Sequence, residues 1–224
     1  MSPVVAGHLS LFLEAWAWIS DSLFLLQTIK GDRLEFKTKT LFMSPRETAT
    51  METSFKGETE TIMDEEAKDL LPKNALKPCH AKTGFYSWIF CIQKKDGHLH
   101  PIINHFMYSQ HFCMPTVYDV CQLLQAGDWA VCLDRRDARF HIPVYPHPRP
   151  FLMFCWRGRD YQFRCQPFGL STSPQTFTWV MKLGVQSLRT MGIQTVLYLD
   201  DILLLVDSES SVTDSTHESV PAAV

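Results

Sequence analysis

Two adjacent carboxylates, Asp200 and Asp201, stand between two apolar runs at residues 195–197 and 202–206. This pattern predicts a β-hairpin that carries both aspartates at its tip. Neighbouring side chains on a straight strand point to opposite faces, so the pair can serve one metal site only if the chain turns there. Taken alone, an Asp pair at a hairpin tip is more typical of a solvated turn than of metal chemistry.

A third carboxylate, Asp134, ends the short apolar segment 129–133, and Asp137 follows soon after. If the two acidic strand ends are neighbours in one sheet, Asp134 lies beside Asp200 and Asp201. Carboxylates grouped in this way repel one another unless a cation neutralises them, and their hard oxygen ligands suit Mg²⁺. Two such ions roughly 3.5–4 Å apart would hold the attacking and leaving oxygens of a phosphoryl transfer. The alternative is that the strand ends are unrelated.

The segment that precedes the acidic hairpin predicts a loop followed by a packed helix. Ser173 is a suitable N-cap, and Pro174 is a suitable first helical residue. Apolar residues at helical spacing then predict a face that packs on the core: Phe177, Met181, Val185 and Leu188.

The N-terminal segment, residues 9–29, is rich in Leu, Phe and Trp. Glu14, Ser20 and Asp21 interrupt it and no basic region precedes it, which argues against a membrane span or a signal sequence. A stripe of apolar residues instead predicts one amphipathic helix, which ends at Gly31 and packs on the core or on a partner domain. The stripe consists of Leu9, Phe12, Leu13, Trp16, Ile19 and Leu23.

Composition indicates one medium-sized domain, because 224 residues with 46% hydrophobic content can bury a sizeable core. The net charge of -3 conceals a division along the chain. Residues 77–168 contain 11 Lys and Arg against 6 Asp, whereas residues 44–76 contain 4 basic against 8 acidic residues. The basic part suits phosphate contacts with nucleic acid, although a solvated basic face is a common alternative.

The seven cysteines form no C-x-x-C pair. Their odd number and scattered spacing argue against a disulfide framework or a zinc site. They predict reduced thiols in an intracellular protein of the cytoplasm or nucleus.

Five segments in a fixed order carry a resemblance to a known family. They are residues 84–87 (GFYS), 93–97 (QKKDG), 133–143 (LDRRDARFHIP), 166–174 (QPFGLSTSP) and 198–201 (YLDD). In this order they resemble the fingers and palm of a retroelement reverse transcriptase, most similar to the DIRS-type elements and the related gypsy-like ones. The resemblance covers about residues 7–206. It implies an α+β fold, with a palm whose antiparallel sheet is backed by helices and with a fingers subdomain over residues 72–125.

The resemblance also implies an activity, RNA-directed DNA polymerisation, in which a dNTP is joined to a primer 3′-hydroxyl. The implied partners are an RNA or DNA template with its primer and the dNTP, with no membrane and an open oligomeric state. Asp134, Asp200 and Asp201 match the catalytic metal ligands, which implies two Mg²⁺ ions, with Mn²⁺ as the substitute. The implied nucleotide-binding residues are Lys94, Lys95, Arg139, Phe140, Pro167, Phe168 and Gly169. Gly169 would let the backbone approach the nucleotide, and without the resemblance the two lysines suggest only a solvated hairpin tip.

The predicted domain order has four parts. Residues 1–43 form an N-terminal helical extension, 44–71 an acidic linker with a short helix over 62–71, 72–206 the fingers and palm, and 207–224 a disordered polar tail. The thumb and RNase H domain that the resemblance would place next are expected to be missing. Without a thumb the primer would be held on one side only, so we expect low processivity.

Three departures from the family pattern favour weak activity or none for this fragment. Arg139 stands where an aromatic residue commonly excludes a 2′-hydroxyl, and His100 and Phe106 replace residues that are frequently Arg. An alternative function is therefore a non-catalytic retroelement relic that at most binds nucleic acid. A metal-dependent nuclease using the same carboxylates would leave the nucleotide motifs unused.

Overall fold

The computed structural model describes residues 6–36, 57–79, 86–93, 99–103, 113–114, 116–134, 137–190, 192–198 and 201–206. The helices are α1 (Leu13–Ile19), α2 (Leu23–Lys30), α3 (Glu58–Leu70), α4 (Val117–Leu123) and α5 (Ser173–Thr190). The strands are β1 (Leu76–Cys79), β2 (Ile89–Gln93), β3 (Leu99–Ile103), β4 (Trp129–Asp134), β5 (Met153–Trp156), β6 (Arg159–Phe163), β7 (Gln194–Tyr198) and β8 (Asp201–Val206). Short 3-10 helices cover His8–Phe12, Ala138–His141 and Arg149–Phe151.

The described strands form three antiparallel sheets, with strand orders β4-β8-β7, β1-β6-β5 and β2-β3. In the first of these, which we call the acidic sheet, β8 lies between β4 and β7. Strands β7 and β8 form the predicted hairpin, since Tyr198 pairs with Asp201 across a connection of two residues. Helices cover this sheet, so the predicted α+β fold with a helix-backed antiparallel sheet is confirmed.

Helix α5 provides most of the core behind the acidic sheet. All four residues of its predicted apolar face are buried, together with side chains of the N-terminal segment and of β7 and β8. The helix begins one residue before the predicted position, because Ser173 is already helical and is not the N-cap. Its hydroxyl donates a hydrogen bond to Gln166 Oε1 at 2.7 Å, so it is used for tertiary contact instead of capping.

The N-terminal segment differs from the sequence prediction of one helix. It folds as a 3-10 helix followed by α1 and α2 and does not form one continuous helix. The Ser22 side chain accepts a hydrogen bond from Leu25 N at 3.3 Å, and this N-cap starts a new helix where the apolar pattern predicted continuation. Leu23 is consequently 74% exposed, whereas Leu9 and Trp16 are fully buried against α5 and the acidic sheet.

A second core lies between α3, the β2-β3 hairpin and the β1-β6-β5 sheet. Helix α3 begins at Glu58, four residues before the prediction, and Trp156 Nε1 joins it to β5 by donating to Asp64 Oδ1 at 3.0 Å. Strand β1 pairs with β6 and not with the β2-β3 hairpin, so the predicted fingers region divides between two sheets. Among the described residues, no helix combines the length and apolar character needed to cross a membrane.

Candidate active site

The acidic sheet brings two of the three predicted carboxylate positions together. Strands β4 and β8 pair from Trp129 opposite Val206 to Asp134 opposite Asp201. Directly opposed residues of an antiparallel pair have Cα atoms only about 4.5–5.5 Å apart and share one face of the sheet. The prediction that the two acidic strand ends are neighbours is therefore confirmed at the level of the backbone.

The third carboxylate, Asp200, lies outside the described residues, as does the side chain of Asp134. Among the side chains that are described, no group of three or more His, Cys, Asp or Glu is arranged to hold a metal ion. Of the acidic trio, only the side chain of Asp201 belongs to the described part of the chain. The donors at these positions are carboxylate oxygens, which fit a hard divalent cation better than a zinc or copper site.

The start of the 3-10 helix Ala138–His141 is anchored by a buried cation, Lys73. Lys73 Nζ contacts Asp137 Oδ2 and Asp69 Oδ2, each at 2.6 Å, and its side chain is 9% exposed. Burial opposes the charged ammonium, but the hydrogen bonds and charges of Asp137 and Asp69 outweigh it and raise the pKa of Lys73. Asp137 takes a left-handed conformation (φ 58°) and starts the 3-10 helix Ala138–His141. Lys73 therefore fixes the start of the segment that carries two predicted nucleotide-binding residues.

Those two residues, Arg139 and Phe140, meet Phe168 from the other predicted nucleotide-binding segment. Phe140 is buried, and its ring packs edge-on against Phe168 with centroids 5.3 Å apart. The Arg139 guanidinium carbon lies 5.0 Å from the centroid of the same Phe168 ring, a cation–π contact. Gly7 N donates to Phe140 O at 2.7 Å. The fold thus joins residues 139–140 and 167–169, which the sequence presents as separate motifs.

We call residues 167–172 the nucleotide loop, after the predicted nucleotide-binding residues 167–169 that it contains. Pro167 is buried within it, and Ile103 N donates to Phe168 O at 3.1 Å. Gly169 has φ +94°, and a Cβ at this position would lie 2.3 Å from both Ile102 Cγ2 and Ile103 O. Glycine is thus required by close contact with β3, and its predicted approach to a nucleotide stays a prediction.

Residues 91–224, more than half of the sequence, match the family described as reverse transcriptase (RNA-dependent DNA polymerase). The chain belongs to the reverse transcriptase family. The match includes the acidic sheet, the Arg139–Phe140 turn and the nucleotide loop. Family membership therefore covers the elements that carry most of the predicted site residues.

Individual relatives of this reverse transcriptase domain come from viruses and a transposon. The genome polyprotein of Petunia vein clearing virus (isolate Shepherd) is 26% identical over 106 residues, which are 47% of this chain and 5% of the polyprotein. The Pol polyprotein from transposon 412 of Drosophila melanogaster is 25% identical over 116 residues, 52% of this chain and 9% of the relative. Protein P of Duck hepatitis B virus (strain China) is 26% identical over 112 residues, 50% and 14% of the two chains. The chain spans only a small part of each relative.

Among solved structures, the foamy viral protease-reverse transcriptase in complex with dsDNA superposes with a TM-score of 0.64. The sequences are 16% identical, and the match covers 82% of this chain and 37% of the other. At this identity the likeness establishes the reverse transcriptase fold.

Several predicted positions of the domain lie outside the described residues. Strands β2 and β3 form a hairpin in which Gln93 pairs with Leu99, but the connection between them, with Lys94 and Lys95, is not described. Phe106 and the side chain of His100 are likewise outside. The predicted tail, 207–224, is also not described, although the family match extends through it.

Sequence reasoning missed a buried polar chain behind the nucleotide loop. Gln166 Nε2 donates to Asp32 Oδ2 at 2.6 Å, and Ser173 Oγ donates to Gln166 Oε1 at 2.7 Å. Gln166 and Ser173 are completely buried. Burial raises the pKa of Asp32, and the hydrogen bonds from Gln166 and from the Arg33 backbone only partly oppose this effect. Asp32 and Gln166 are 134 residues apart, so no local spacing signals their contact.

Proposed function

We propose that this domain is the RNA-directed DNA polymerase core of a retroelement, of the DIRS-type or gypsy-like group. It would extend a primer 3′-hydroxyl with dNTPs on an RNA or DNA template. The observation that carries the proposal is the register that sets Asp134 opposite Asp201 within a segment matching the reverse transcriptase family. The subtype rests on the resemblance of the sequence to the DIRS-type and gypsy-like elements.

In this proposal Asp134, Asp200 and Asp201 hold two Mg²⁺ ions, for which Mn²⁺ can substitute. When bound, the ions lower the pKa of the primer hydroxyl and neutralise charge that develops on the phosphate. The chain's own contribution is to keep the acidic positions adjacent through backbone pairing of β4 with β8. Because this pairing uses main-chain groups, it does not require the aspartate side chains and is compatible with their proposed role as ligands.

The nucleotide would bind beside the cluster of Arg139, Phe140 and Phe168, with the nucleotide loop beneath its base. Lys94 and Lys95 on the β2-β3 connection would contact the triphosphate. Because the Arg139 guanidinium packs over Phe168, it presents a planar but polar group where an aromatic wall would exclude a 2′-hydroxyl. We therefore expect weak discrimination between dNTPs and rNTPs.

Primer extension by the full chain on poly(rA) with an oligo(dT) primer tests the proposal, with Mg²⁺ and Mn²⁺ supplied separately. We expect template-dependent products from the wild type and a loss of at least about 100-fold in the Asp200→Asn, Asp201→Asn double variant. The matched control is Asp128→Asn, which removes one carboxylate next to the opposite end of β4 and should leave extension unchanged. Equal extension by the wild type and the double variant would overturn the assignment.

The second candidate is a non-catalytic domain that only binds nucleic acid, and Arg139 at the sugar position is the observation that favours it. This domain would bind a labelled primer–template in an anisotropy assay, yet give no extension with either ion. Shortened primers in the same reactions would instead indicate a nuclease.

A further inference from the structure

The nucleotide loop is closed at its base by two side chains. Gln166 precedes the loop and Ser173 follows it, and their side chains are hydrogen-bonded at 2.7 Å. Both residues are completely buried. A buried hydrogen bond in this position restrains both ends of the loop, because breaking it would leave polar atoms without water to replace the lost partner.

The orientation of the Gln166 amide is set by Asp32. An ionised carboxylate can only accept hydrogen bonds, so the amide must turn its nitrogen to Asp32 and its oxygen to Ser173. The observed distances agree with this assignment, with 2.6 Å from Gln166 Nε2 to Asp32 Oδ2. Without the carboxylate, the amide could adopt either orientation.

Asp32 is itself held by backbone contacts to the segment that follows Phe140. Asp32 N donates to Pro143 O at 2.8 Å, and Tyr145 N donates to Asp32 O at 2.9 Å. Gln166 N donates to Ile142 O at 3.1 Å. The residues after the Arg139–Phe140 turn therefore lie between Asp32 and the start of the nucleotide loop, and they hold both in place.

We propose that Asp32, acting through Gln166, is a positioning residue that sets the height of the nucleotide loop beneath the incoming nucleotide. The inference rests on the proposed polymerase function for the identity of the ligand. The loop's restraint by Asp32 is a property of the free protein and is measurable without substrate.

The decisive variant is Gln166→Glu, which has nearly the same shape but sets a second carboxylate against Asp32. At pH 8.5 the repulsion between the two carboxylates should displace the new side chain and release the loop base. Adding Asp32→Asn should restore the contact with reversed polarity, since an amide at position 32 can donate to the new carboxylate, which still accepts from Ser173. Ser173→Ala is the second variant, because it removes only the closing hydroxyl and nearly keeps the volume.

Two measurements on the full chain separate this inference from the polymerase proposal. Amide hydrogen exchange over residues 168–172 of the free protein should accelerate at least about 10-fold in Gln166→Glu and in Ser173→Ala. In Gln166→Glu with Asp32→Asn it should return to within about 3-fold of the wild type. In extension assays, the KM for dTTP should rise about 10-fold in Gln166→Glu with kcat changed less than about 3-fold, and the double variant should restore KM.

The outcomes are distinguishable. If the wild type does not extend primers, the polymerase proposal fails, while the exchange data still decide whether Asp32 restrains the loop. Unchanged exchange in both Gln166→Glu and Ser173→Ala would overturn the inference. If Gln166→Glu does not fold, Asp32→Ala takes its place, because it removes the carboxylate and leaves Gln166 unchanged. It should accelerate exchange over residues 168–172 to a similar extent, and unchanged exchange in this variant would overturn the inference. A fall in kcat without a rise in KM would show a general structural role and would also overturn it.

Discussion

The acidic sheet edge and the nucleotide loop are fixed in the same molecule by different interactions. At the edge, Asp134 and Asp201 are adjacent because β4 and β8 pair along their whole length through the backbone. The nucleotide loop is not held by such a ladder of backbone pairs. It depends on the hydrogen bond between the Gln166 and Ser173 side chains and on the absence of a Cβ atom at Gly169. Side-chain substitutions at the acidic sheet edge should therefore change activity with little effect on the stability of the fold. Substitutions at the nucleotide loop should change both activity and stability.

Gly169→Ala should give the largest loss of stability at the loop. A Cβ there meets Ile102 and the Ile103 carbonyl oxygen at 2.3 Å while the backbone has a positive φ. We expect the free energy of unfolding to fall by about 3 kcal/mol, measured by urea denaturation. Gly127→Ala is the control, because it has φ +101° with nothing within 4 Å, and it should cost only about 1 kcal/mol. If both substitutions lower the free energy of unfolding equally, contact with β3 is not the reason that position 169 requires glycine.

Lys73→Met tests whether a side chain also supports the approach to the acidic edge. The variant leaves Asp137 and Asp69 without their shared cation, and we expect a loss of about 2 kcal/mol. Lys68→Met, an exposed position on α3, should change stability by less than about 0.5 kcal/mol. If Lys73→Met is equally neutral in thermal or urea unfolding, the ion pairs of Lys73 do not support the segment that begins at Asp137.

Arg139→Tyr should sharpen sugar selection while leaving the acidic edge untouched. A flat aromatic ring in place of the guanidinium should raise the preference for dTTP over rUTP, measured as the ratio of kcat/KM values, about 10-fold. Arg159→Tyr, an exposed position on β6, serves as the control and should not change this ratio. An unaltered ratio in Arg139→Tyr would mean that position 139 does not face the sugar.

The smallest effect is expected from Asp32→Asn on the pH dependence of stability. Burial places the pKa of Asp32 above its ordinary value, so the folded chain binds this proton more tightly than the unfolded chain. The stability of the wild type relative to the variant should fall as the pH rises above about 4 and become constant once Asp32 is ionised in the folded state. Urea unfolding of both chains between pH 4 and 7 measures this difference. A relative stability that rises with pH would show that Gln166 and Arg33 outweigh burial.

The sequence was sufficient for features that repeat at short range. The two apolar runs that flank Asp200 and Asp201 predict the hairpin, and the helical spacing from Phe177 to Leu188 predicts the buried face of α5. It was insufficient where a local signal competed with a periodic one. The apolar stripe predicts one continuous helix in the N-terminal segment. The Ser22 side chain instead caps the backbone N–H of Leu25 and starts α2 as a separate helix.

The side-chain contacts that hold the candidate site could not be predicted from the sequence, for a different reason. Asp69 and Lys73 stand at a spacing typical of helical ion pairs, but the second partner, Asp137, is 64 residues away. Asp32 lies even farther from Gln166. Such contacts follow from the folded arrangement of whole elements, and one sequence contains no periodic pattern that indicates them.

The burial of Leu9 and Trp16 against α5 and the acidic sheet has a consequence for synthesis on the ribosome. These apolar side chains leave the ribosome well before Ile202 and Leu204, which belong to the same hydrophobic core. Until β8 is made this core is incomplete, and the apolar side chains left exposed favour aggregation. We expect the nascent chain to depend on a chaperone that binds exposed apolar segments, and to release it only after β8 has left the exit tunnel.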